Sequence, residues 1–156
     1  PIENFKKNLN RVFNSNIKKA VEVYIHQNIE MIKVENFEIL GHMDRILVNA
    51  VKLGFDINTK WYKSLIEEYI MEIKSNDKIV EINTRAKYKG KYSYTNPEKN
   101  TIKKLFKNDI PILLSTDAHK PEEILLLYNE LNETLKKMGF KKQMKFDGKI
   151  WNEIKL

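Results

Sequence analysis

Three short apolar runs, residues 37–41, 78–82 and 110–114, stand between stretches of helical periodicity. Strands separated by helices need crossover connections, so this alternation restricts the chain to α/β with a parallel sheet. Uninterrupted apolar runs are also what parallel strands buried on both faces require. The first helical stripe runs through Phe5, Leu9, Phe13, Ile17, Val21, Tyr24 and Met31, over residues 5–32. A short apolar segment, residues 46–55, precedes a second helix with Trp61, Leu65, Ile66, Tyr69, Ile70 and Ile73 on one face. Residues 83–95 are polar and read as a loop. Asn96 as N-cap and Pro97 at the first helical position predict a third helix carrying Ile102, Leu105 and Phe106. Pro121 predicts the start of a fourth, with Ile124, Tyr128, Leu131, Leu135 and Met138 in register and Gly139 closing it. Asp147-Gly148 predicts a terminal hairpin between Phe146 and Trp151.

At 156 residues, with 42% hydrophobic and 10% aromatic side chains, the chain suits one domain with a real core. The absence of cysteine excludes a disulfide framework, a Cys-ligated zinc module and a cysteine nucleophile. No apolar stretch approaches the roughly 18 residues of a membrane span. The polar start, Pro1-Ile2-Glu3-Asn4-Phe5-Lys6, is unlike a signal peptide, so a cytoplasmic protein without membrane contact is expected. The net charge of +7 rests almost wholly on lysine, the only arginines being Arg11, Arg45 and Arg85. Those lysines are spread along the chain among glutamates, and the arginine forks that dominate nucleic-acid readout are few. Charge alone does not make this a nucleic-acid-binding chain.

Sites in parallel α/β folds lie beyond the carboxyl ends of the strands. Here those ends are His42-Met43-Asp44, Glu81-Ile82-Asn83-Thr84-Arg85 and Ser115-Thr116-Asp117-Ala118-His119. In extended backbone, residues two apart point to one face, so adjacent strands aim His, Asp, Glu, Asn and Arg at a common point. Imidazole nitrogens and carboxylate oxygens converging in this way suit a divalent metal or a catalytic site. The bland alternatives are Asp117 capping the helix near Pro121 and Glu81 facing solvent on an edge strand. His26, off the apolar stripe and far from any strand end, carries no expected role.

These segments resemble a known family. Residues 37–44, Phe-Glu-Ile-Leu-Gly-His-Met-Asp, 81–85, Glu-Ile-Asn-Thr-Arg, and 111–122, Pro-Ile-Leu-Leu-Ser-Thr-Asp-Ala-His-Lys-Pro-Glu, look like the last three strand motifs of the polymerase-and-histidinol-phosphatase (PHP) superfamily. The likeness is nearest to the histidinol-phosphatase branch and spans about residues 5–145, with Thr116 where the family usually has Ser. It implies a distorted seven-stranded β/α barrel holding two or three divalent ions (Zn, Mn or Fe) at its strand ends. By motif, His42, Asp117 and His119 match metal ligands, with Asp117 and His119 also catalytic, and Arg85 sits where that branch holds the substrate phosphate. Asp44, Glu81 and Asn83 match residues that orient ligands or substrate. The implied reaction is hydrolysis of a phosphomonoester, L-histidinol phosphate above all, a step of histidine biosynthesis.

The family's opening His-x-His strand and the His and Glu ligands of its next strands have no counterpart here. The chain holds only His26, His42 and His119. The resemblance therefore implies about three βα units of a larger barrel, inactive alone. The other half would precede it in a longer protein or come from a second chain, unless the chain is an inactive remnant. Two rivals remain: a PHP-type esterase acting on nucleotides or nucleic acid or serving a DNA polymerase, and a lysine-rich interaction or nucleic-acid-binding domain without catalysis.

Overall fold

The computed structural model describes residues 2–93 and 95–156. Pro1, in the polar start, and Tyr94, in the polar loop, lie outside the described residues. The chain is mixed α/β. It opens with α1 (Ile2–Phe13), α2 (Ile17–Val34), β1 (Ile39–Leu40) and α3 (Leu47–Ala50), which runs into a 3₁₀ turn at Val51–Leu53. Then follow α4 (Lys60–Ser75), β2 (Ile79–Asn83), α5 (Arg85–Tyr88), α6 (Lys99–Lys107) and β3 (Ile112–Ser115). A 3₁₀ turn at Pro121–Glu123, α7 (Tyr128–Met138), β4 (Lys142–Phe146) and β5 (Trp151–Lys155) complete it. No helix among the described residues is long and apolar enough to cross a membrane.

The sheet is parallel, in the order β1-β2-β3, with Leu40 beside Val80 and Asn83 beside Ser115. Tyr62, Ile66, Tyr69, Ile70 and Ile73 of α4 are buried with Ile25 and Ile32 of α2, Leu40, Ile82 and Leu105. Only the central strand is buried on both faces; β3 alternates, and Ile39 of β1 is 36% exposed. The expectation of three doubly buried strands is thus corrected, because the outer strands lack a neighbour on one side. At β3 that edge is partly covered by the β4–β5 hairpin: the Leu114 amide donates to Gln143 Oε1 at 3.2 Å. The hairpin itself turns through residues 147–150, with Phe146 paired to Trp151 and the Asp147 carboxylate accepting from the amides of Lys149 and Ile150.

Three helix expectations are corrected. The stripe over residues 5–32 is two helices, because Asn14 and Ser15 take φ of 48° and 62° and Asn16 Oδ1 then caps α2 through the Lys19 amide. The apolar phase continues across the turn, so periodicity alone does not reveal it. The cap of α6 is Glu98, not Asn96: its carboxylate accepts from the amides of Asn100 and Thr101. Asn96 is engaged elsewhere, its backbone paired with Asn83 and its side-chain amide donating to Asp44 Oδ1. The helix expected from Pro121 begins only at Tyr128. Thr116 Oγ1 donates to the Ile124 carbonyl (3.0 Å) and Thr84 Oγ1 to that of Leu126 (2.8 Å), taking acceptors a helical ladder would use. Ile124 and Leu125 are left 59% and 73% exposed.

Gly139 closes α7 at φ 106°, and a Cβ there would meet Phe106 Cζ at 2.6 Å. Gly139→Ala should lower stability by about 1–3 kcal/mol, read from the urea midpoint. An unchanged midpoint would mean that the α6–α7 contact is loose.

Candidate functional site

The ends of all three parallel strands meet at one place. After β1, Gly41 leads into His42, which takes φ 53° and has its carbonyl held by Tyr24 OH of α2 at 2.7 Å. After β3, Asp117 takes φ 49°, its amide donating to Ser115 Oγ at 2.9 Å. Left-handed backbone at two non-glycine residues is a cost that packing must maintain. Its effect is to turn both chains sharply and bring the side chains together. His42 Nε2 lies 3.5 Å from Asp117 Oδ2. His119 Nδ1 lies 3.7 Å from Asp117 Oδ1 and 3.0 Å from the Asp117 carbonyl.

β2 supplies the positioning groups. Asn83, fully buried, has its Nδ2 3.2 Å from His42 Nδ1 and donates to Glu81 Oε2 at 2.9 Å. Gly41 leaves room for this chain of contacts, since a Cβ there would sit 3.2 Å from Glu81 Oε2. Glu81 lies on the central strand rather than an edge, so the solvent-facing alternative does not describe it. Nor does Asp117 cap a helix: the 3₁₀ turn after it carries no side-chain cap bond.

Arg85 stands at the start of α5. Its Nη1 donates to the Asp117 carbonyl (2.7 Å), Glu123 Oε2 (2.9 Å) and Tyr88 OH (3.1 Å), while Nε lies 3.8 Å from Asp117 Oδ2. Glu123 is 3% exposed and also accepts from Lys89 Nζ, Tyr88 OH and the His119 amide. Those donors, Lys89 first and the His119 amide next, hold its carboxyl down at about 2. Asp44 is not among the groups brought to His42. It is buried, its two oxygens accepting from Asn96 Nδ2 (2.9 Å) and the Glu98 amide (2.8 Å), and it fixes the loop that pairs with Asn83. His26 is exposed on α2 and takes part in none of the contacts described above.

His42, Arg85 and Asp117 line one shallow depression together with Arg45, Lys91 and Asn96. Arg45, Lys91 and Glu123 were not singled out by the sequence. The one signal for Arg45 was its rarity, as one of three arginines. The depression's volume of about 10 Å³ is room for about one water, far below the roughly 300–1,000 Å³ of ordinary ligand pockets.

Two imidazole nitrogens facing the two oxygens of one carboxylate suit a zinc, manganese or iron ion in donor type. Ligand bonds of about 2.1 Å at a tetrahedral angle put neighbouring donor atoms about 3.4 Å apart, near both spacings here. The set is nonetheless incomplete. Among the described residues no group of three or more His, Cys, Asp or Glu side chains is arranged to hold a metal ion. Asn83 Nδ2 lies against His42 Nδ1, which leaves Nε2, the nitrogen facing Asp117, as the one open to a metal ion.

The chain matches no protein-family model and no curated protein.

Burial pushes the Asp44 carboxyl from 3.8 to about 6, against the bonds from Asn96 and Glu98. The folded chain then binds a proton that the unfolded chain lacks across that window. The Asp44 contribution to stability is therefore greatest at low pH and falls as pH rises through about 6. Between about pH 4.5 and about pH 6.5 the wild type should lose about 2 kcal/mol relative to Asp44→Asn in urea unfolding. A constant gap between the two proteins would contradict the burial of an ionising carboxyl.

Proposed function

We propose that this chain is the carboxyl-terminal part of a metal-dependent phosphomonoesterase of the PHP kind, acting in the cytoplasm. The substrate that the resemblance names is L-histidinol phosphate, split by water into L-histidinol and phosphate. The observation that carries this reading is the convergence of His42, Asp117, His119 and Arg85 at one end of a parallel sheet. The order of the three strand motifs in the chain also supports it.

In this reading His42, Asp117 and His119 hold one side of a bi- or trinuclear centre, and Asn83 and Glu81 set the His42 ring. Divalent ions supply charge neutralisation for the phosphate and a more acidic water. Arg85 has Nη1 committed to Glu123 and the Asp117 carbonyl. It meets the phosphate along its other guanidinium edge, where forked donors match phosphate oxygens. The missing ligands come from another part of a longer protein, the amino-terminal half of the barrel, or from a second chain. A substrate reading with a more anionic ester is favoured by Arg45 and Lys91, which line the same depression.

Phosphate release with Mn²⁺, Zn²⁺ or Fe²⁺ tests this. The 156-residue chain alone should give little or no turnover, and the amino-terminal half, fused or added in trans, should restore it. Asp117→Asn should then abolish the restored activity. Robust turnover by the chain alone, lost in Asp117→Asn, would show that these strands form a complete site. In the restored protein Arg85→Lys, which keeps the charge but not the fork, should raise KM about tenfold or more. An unchanged KM and kcat would remove Arg85 from phosphate binding.

A further inference from the structure

Two of the three arginines, Arg45 from the turn after β1 and Arg85 from α5, line one depression. Arg45 and Lys91 also line a second depression of about 330 Å³, together with Lys52 of the first 3₁₀ turn. The two hollows thus share Arg45 and Lys91 as lining residues, next to His42 and Asp117. Their charge is one-sided. Among the described residues Asp117 is the single acid lining the first hollow, and no acid lines the second.

None of Arg45, Lys52 and Lys91 is in an ion pair among the described residues, whereas Lys87, Lys89, Lys104 and Lys142 each face a glutamate. A concave wall lined by uncompensated cations concentrates field and attracts anions. Arginine adds a fork that fits phosphate or carboxylate oxygens.

We propose that the substrate carries a second anionic group beyond the scissile phosphate, bound by Arg45, Lys91 and Lys52. The substrate class is then a bisphosphorylated ester or a phosphorylated acid. The inference rests on the phosphomonoesterase reading of the neighbouring site. Within that reaction it favours an ester with a second anion over one with an amine, since unpaired cations beside the site attract anions and repel a cationic group.

Calorimetric titration of the full chain at fixed ionic strength, without metal, tests the proposal with orthophosphate, tripolyphosphate and L-histidinol phosphate as probes. Tripolyphosphate should bind about tenfold or more tighter than either other probe. Arg45→Gln combined with Lys91→Gln should remove that advantage. Lys103→Gln combined with Lys107→Gln, an equal charge change on exposed α6 lysines, should leave it intact. Amide NMR spectra of both variants check that the fold is kept, and wild-type amide shifts at residues 45, 52 and 91 report the binding place. Equal affinity for the three probes, or equal losses in the two double variants, would overturn the proposal. This titration reads no hydrolysis, so its failure leaves the phosphomonoesterase reading standing. Absence of hydrolysis in the restored protein would instead overturn that reading.

Discussion

One buried carboxylate organises the strand ends. Glu123 accepts from Arg85, Lys89 and Tyr88 in the segment after β2 and from the His119 amide in the segment after β3. An ionised carboxyl at 3% exposure is costly unless it is matched, so these donors are held in place by the same penalty. Arg85 is thereby fixed against the Asp117 carbonyl, and His119 is fixed beside the Asp117 carboxylate. Loss of Glu123 would free segments that are distant in sequence but adjacent at the site.

The second constraint is conformational. His42 and Asp117 both sit in left-handed backbone at the point where a strand gives way to a turn. Each is held from outside itself, His42 by Tyr24 and Asn83, Asp117 by Ser115 and Arg85. Strain supported in this way is characteristic of places where side-chain direction matters more than local stability. Asn83 links the two constraints: it reaches the His42 ring, its backbone pairs with Asn96, and its Oδ1 accepts from the Arg85 amide at 3.3 Å.

What the sequence made legible follows from local rules. The three strands could be read because each is a short apolar run, and the hairpin because Asp147-Gly148 suits a turn. The strand-end groups could be read because they follow the apolar runs, but left-handed turns at His42 and Asp117, not the alternation of extended backbone, bring His42, Asp117 and His119 within a few ångströms, and Asp44 is turned away to Asn96 and Glu98. The breaks that escaped notice all depend on tertiary partners. Asn96 bonds Asp44 instead of starting α6, and the Thr84 and Thr116 hydroxyls take the carbonyls that would have carried a helix after Pro121. Glu123, Arg45 and Lys91 escaped for the same reason. Each is an ordinary charged residue in sequence, and only the fold places it against the strand ends. The barrel, the metal centre and the substrate are not local properties of this chain, and they remain proposals.

The central claim is that three strand ends present one half of a metal site. The most direct measurement is paramagnetic broadening of the chain's NMR signals by substoichiometric Mn²⁺. Signals of His42, Asp117 and His119 should broaden first and together, with Asn83 and Arg85 next and His26 unaffected. In Asp117→Asn that selectivity should disappear while the spectrum otherwise persists. Broadening scattered over the surface carboxylates, or centred on His26, would contradict the claim.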